Sequence, residues 1–72
     1  MTGPTTDRGQ EFIEDLARRV GAEYHEMPGL QLTAAQARCL FGLETTVCAE
    51  VLETLCERGI LRCRSDGQFV RD

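Results

Sequence analysis

The sequence predicts a mainly α-helical domain with a small β-hairpin: three helices followed by two short strands. Three observations lead there. Apolar residues recur at helical spacing in three stretches, around residues 12–20, 34–41 and 47–56. Glycine ends each stretch, most sharply at Gly42 between the second and third. Asp66-Gly67 then separates two short apolar runs, the strongest short-range hairpin signal. At 72 residues the chain holds one thin core, which excludes a Rossmann unit, a barrel or a two-domain enzyme.

Residues 1–8, with Gly3, Pro4 and three threonines, read as a disordered tail, leaving 9–72 as the folded domain. Asp7-x-x-Gln10 resembles a capping box and opens a first helix over about Gly9–Val20. Phe12, Ile13, Leu16, Ala17 and Val20 form its apolar stripe; Glu11, Glu14, Asp15, Arg18 and Arg19 lie opposite. Its acids lie early and its arginines late, which suits the helix dipole, and Gly21 supplies the C-cap. Pro28-Gly29 marks a turn in the connection that follows, where His25 reads as a loop residue and Tyr24, Met27, Leu30 and Leu32 tuck onto the core.

The second helix starts at a capping box, Thr33-x-x-Gln36, in which each side chain satisfies an orphan backbone donor. Ala34, Ala37, Leu40 and Phe41 mark its buried stripe, and Gly42 ends it in the left-handed conformation that glycine adopts most easily. Glu44 or Thr45 caps the third helix. Val47, Cys48, Val51, Leu52, Leu55 and Cys56 make it the strongest periodic segment of the chain, with Glu50, Glu53, Thr54 and Glu57 facing out and Gly59 as its stop. A two-residue Asp66-Gly67 loop sets Cys63 opposite Val70 and Arg64 opposite Phe69. Leu61, Cys63 and Val70 then face the core, while Arg62, Arg64, Phe69 and Arg71 form a basic outer face.

Acidic residues number 12 against 8 basic ones, all arginine, for a net charge of -4. Such a chain is repelled by polyanions unless its bases cluster. The apolar runs are far shorter than the ~20 residues that cross a bilayer. No basic segment leads into an apolar one at the N-terminus, so the reading is a cytoplasmic protein without membrane partner or signal peptide. Cys39, Cys48, Cys56 and Cys63 lack the close pairing that zinc sites use. Cys39, Cys48 and Cys56 fall on apolar helix faces and read as reduced core thiols, so no metal or cofactor is expected. With no histidine near a cysteine in sequence and no room for a large pocket, the chain does not read as an enzyme.

The stretch Leu32-Thr33-Ala34-Ala35-Gln36-Ala37-Arg38-Cys39-Leu40-Phe41-Gly42-Leu43, the periodic helix after it, Arg58-Gly59-Ile60-Leu61 and Asp66-Gly67-Gln68-Phe69-Val70 together resemble the winged helix-turn-helix superfamily of prokaryotic transcription regulators. The resemblance spans a little over half of the chain and rests on the Leu-Thr helix start, the Phe41-Gly42-Leu43 turn and the Gly-Ile-Leu exit. It departs at Arg38, where the residue four before the turn glycine is usually small. Either the register shifts slightly there, or Arg38 lies at the helix–helix edge with its stem packed and its head in water.

For function, the resemblance implies double-stranded DNA as partner, bound as a dimer for transcription regulation. The third helix would enter the major groove with Thr45, Thr46, Ala49 and Glu50 toward base edges. Arg62, Arg64 and Arg71 of the wing would meet phosphates. Charge argues the other way. Four glutamates and one arginine from Glu44 to Arg58 leave that helix at -3, and the segment from Gly59 to Asp72 carries only +1. The alternative reading is a winged-helix protein-interaction module whose acidic third helix docks a basic protein.

Overall fold

The computed structural model describes residues 4–72, with side chains from residue 11 onward. Helix α1 runs Pro4–Glu26 and outruns its predicted bounds at both ends. Proline suits the first turn of a helix, where its missing N–H leaves no bond unmade. The expected tail therefore already turns as helix from Pro4, and Asp7 lies inside the helix; the side chains of Asp7 and Gln10 lie outside the described residues. At the other end Gly21 does not cap. The stripe Ile13, Leu16, Ala17, Val20 continues one turn further to Tyr24, which is fully buried and donates its hydroxyl to the Phe69 carbonyl at 2.9 Å. Burial of that ring carries the helix through the glycine. Phe12, expected in the stripe, is 54% exposed, because the Glu14–Arg58 pair marks where the C-terminal end of the third helix stops covering α1.

Strand β1, Gln31–Thr33, occupies what reads as connection. Its last residue is also the N-cap of helix α2, Ala34–Phe41. A cap residue needs extended backbone, and Thr33 has it at φ -74°, ψ 167°, so the strand runs directly into the cap. The capping box forms as predicted. Gln36 N–H donates to Thr33 Oγ1 at 3.1 Å, and Thr33 N–H donates to Gln36 Oε1 at 2.9 Å.

Gly42 ends α2 at φ +65°, with Leu43 N–H donating back to the Arg38 carbonyl at 3.0 Å, the bond of a Schellman stop. No neighbouring atom lies within contact range of a Cβ built at Gly42, so the cost of a side chain there is purely conformational. Gly42→Ala is expected to lower stability by about 1–2 kcal/mol in a urea titration without changing the fold.

Helix α3, Thr45–Glu57, buries Cys48, Val51, Leu52 and Leu55. It leaves through a second Schellman stop, in which Gly59 N–H reaches the Cys56 carbonyl and Ile60 N–H the Leu55 carbonyl. Strands β2, Leu61–Cys63, and β3, Gln68–Arg71, follow. The three strands form one antiparallel sheet in the order β1-β3-β2. The layout is thus three helices with a β-hairpin wing, and β1 is added to the wing's far edge. The core is Ala17, Val20 and Tyr24 of α1, Ala37 of α2, the α3 stripe and Leu61. Ala37 makes the close approach that Arg38 cannot, and Arg38 is exposed. Ala34 and Leu40, expected in the α2 stripe, are also exposed, Leu40 at 57%, because only Ala37 and Phe41 point toward α1 and α3.

The hairpin register differs from the prediction by one residue. Arg62 pairs with Val70 and Cys63 with Phe69, closed by a three-residue loop, Ser65-Asp66-Gly67. Gly67 N–H donates to the Arg64 carbonyl at 2.9 Å and Arg64 N–H to the Gln68 carbonyl at 2.7 Å, and Gly67 sits at φ +89°. This is the turn-plus-left-handed-residue form of a three-residue hairpin. Asp66 Oδ1 accepts from Gln68 N–H at 3.1 Å and helps hold it.

A one-residue slip exchanges the faces. Phe69, expected outside, packs on the core beside Leu32, its partner in β1. Val70 is buried as expected, at 9% exposed, but its partners Gln31 and Arg62 put it on the face away from Phe69 and outside the main cluster. Cys63, expected in the core, is exposed, as is Cys39.

Candidate nucleic-acid interface

The surface implied by the resemblance is built by α3 and the wing. Thr45 and Thr46 open α3, and both are exposed, as are Ala49 and Glu50. Thr46, Ala49, Glu50, Glu53 and Glu57 follow helical spacing along one outward stripe, opposite the stripe that α3 buries. Glu44 is the N-cap but makes no side-chain cap bond, which leaves the first amides of α3 free of a capping side chain. Arg58 is the one arginine at this helix, and it is committed elsewhere. It donates to Glu14 of α1 and holds that carboxyl below the usual carboxylate range. The outward stripe of α3 therefore carries three carboxylates and no cation.

The wing arginines do not act as one group. Arg62 and Arg64 share the outer face of the sheet, and each already faces a carboxylate: Arg62 Nε lies 3.9 Å from Asp72 and Arg64 Nε 3.7 Å from Asp66. Both pairs are exposed and weak, yet each lowers the field that a phosphate would meet. Arg71 is separated from them. The register places it opposite Leu61, on the side of the sheet toward α1, where it lines a cleft with Arg18 and His25. Sequence reasoning put Arg71 in the basic face and His25 in a loop. His25 instead lies in the last turn of α1. The missed signal was the i, i+7 spacing of Arg18 and His25, which puts them on one face only if the helix runs past Gly21.

Burial pushes the Cys48 thiol up, with Arg38 opposing in part, and burial also pushes up Cys56, with Cys63 adding to it. Both stay protonated at neutral pH, which disfavours nucleophilic or metal-ligating roles. Cys48 instead donates weakly to the Ala34 carbonyl at 3.8 Å, tying the start of α3 to the start of α2. Among the described residues no three His, Cys, Asp or Glu side chains gather as a metal site requires, and no helix is long and apolar enough to cross a membrane. No protein-family model matches the chain, and no curated protein and no solved structure shows significant similarity to it.

Proposed function

We propose that the domain is a protein-interaction module of winged-helix layout, in which the outward stripe of α3 docks a basic partner. The observation that carries this reading is the stripe itself: Glu50, Glu53 and Glu57 in line and exposed, with Arg58 held by Glu14. Duplex DNA presents one negative charge per ~1.7 Å of axis, so a carboxylate face entering its groove adds repulsion where binding needs counterion release. A partner segment bearing arginine or lysine at helical spacing meets the same stripe with attraction, and exposed charges of this kind set association rate and partner choice.

One observation supports a second reading, a dimeric regulator of transcription bound to double-stranded DNA. The start of α3 offers uncapped amides beside Thr45 and Thr46, a geometry suited to a phosphate. Arg62 and Arg64 would add the wing contacts and Glu50 a base contact to cytosine.

Fluorescence anisotropy against duplex genomic fragments at low salt separates the two. Under the docking reading, micromolar protein gives no saturable binding, while partner capture disappears in the double variant Glu50→Arg, Glu53→Arg. Capture that survives this reversal overturns docking. Saturable DNA binding supports the regulator reading, provided that Arg62→Ala with Arg64→Ala weakens it and flattens its log–log salt slope by about 2.

A further inference from the structure

The displaced register gives Arg71 a new neighbourhood. It shares a cleft of about 490 Å³ with Arg18 and His25 of α1, over an apolar floor that includes Gly21 and Ile60. Ile60 is 41% exposed there, an apolar side chain left uncovered beside cations. The volume lies within the ~300–1,000 Å³ typical of small-ligand sites.

In a chain where acids outnumber bases, this cleft reverses the balance. Three of its lining side chains are basic and one, Asp72, is acidic. Asp72 faces Arg62 and Arg18 faces Asp15 at 3.4 Å, whereas Arg71 makes no ion pair among the described residues. Arginine is the side chain best shaped to grip a carboxylate with two parallel N–H donors.

We infer that the cleft between α1, the Gly59-Ile60 exit of α3 and the end of β3 is a binding site for a carboxylate with a compact apolar body. Arg71 grips the carboxylate, Arg18 and His25 flank it, and the apolar body rests on Gly21 and Ile60. The site lies apart from the α3 stripe and does not depend on what that stripe binds.

Titration of the ¹⁵N-labelled full chain with benzoate tests this. Saturable shifts are expected at the amides of Gly21, His25, Gly59, Ile60 and Arg71. Benzamide, which keeps the ring and removes the charge, is expected to bind at least about tenfold more weakly, and so is benzoate to Arg71→Gln. Arg71 is exposed, so that variant keeps its fold. Arg64→Gln, on the other face of the sheet and paired with Asp66 outside the cleft, and the double variant Glu50→Arg, Glu53→Arg are expected to leave benzoate affinity unchanged.

A short peptide ending in a free phenylalanine carboxylate distinguishes the sources of this chemistry. Displacement of benzoate by it assigns the cleft to chain termini, and failure to displace assigns it to free small carboxylates. Shifts that grow linearly without saturation, equal binding of benzamide, or unchanged affinity in Arg71→Gln would each overturn the site.

Discussion

Leu52→Ala is expected to lower stability by about 2–5 kcal/mol and to leave the domain largely unfolded at 37 °C. Leu52 is 2% exposed, in the middle of the one helix that packs on both α1 and α2 and on the strand after it. Truncation removes its transfer free energy and leaves a cavity that α1, α2 and α3 must all shift to fill. A domain of this size has on the order of 5–10 kcal/mol in total to lose. Thermal melting followed by circular dichroism reads the effect. A variant that melts like the parent would mean that Leu52 does not point where the α3 stripe puts it.

Tyr24 carries the second large effect, and its size depends on pH. Its ring is fully buried beyond the glycine where α1 was expected to stop, and its hydroxyl is the link from α1 to the central strand β3. Tyr24→Ala is expected to cost about 3–5 kcal/mol, as for other large aromatic truncations. Tyr24→Phe keeps the ring but removes the hydroxyl's bond to the Phe69 carbonyl, at about 0.5–1.5 kcal/mol.

Burial pushes the Tyr24 hydroxyl up to about 12 from an ordinary value of 10.0. A group raised in the folded state contributes fully below its unfolded value and loses that contribution as pH climbs through the folded one. Between pH 10 and 12 the unfolded chain gives up the proton first, so stability falls across that window by about 2–3 kcal/mol. The buried thiol of Cys48 and the half-buried thiol of Cys56, both pushed up, act in the same direction from lower pH. The tyrosine part is therefore the difference between the native chain and Tyr24→Phe in urea titrations at pH 9, 10 and 11. Parallel pH profiles for the two would show that the hydroxyl is not buried.

The reach of α1 illustrates how far local signals carry. Gly21 has the composition of a helix stop, and nothing within the helix contradicts it. What overrides it is a side chain one turn later meeting a strand 45 residues away, as the Tyr24–Phe69 bond does. Gly42 and Gly59, by contrast, are stops whose own backbone bonds close the preceding helix, so their effect is local and legible. Strand β1 was hidden for a related reason. Three residues are too few to show alternation, and one of them doubles as a helix cap.

The candidate surface divides in the same way. The outward residues of α3 follow from its 3.6-residue period alone, so Thr45, Thr46, Ala49 and Glu50 lie exposed as the sequence indicates. The wing does not follow so simply. Asp-Gly serves a two-residue and a three-residue loop equally well, because both need glycine in the left-handed region. Phe69 and Val70 are both apolar, so the sequence pattern leaves open which of them faces inward.

From the amino-acid order alone come the three helices, the stops at Gly42 and Gly59, the hairpin and the acidic stripe, since each depends on residues within a few positions of one another. Long-range packing decided the remainder: where α1 ends, that a third strand exists, and which side of the sheet Arg71 occupies. Those outcomes follow from Phe69 pairing with Leu32 and accepting from Tyr24, contacts that form only once distant segments share one core.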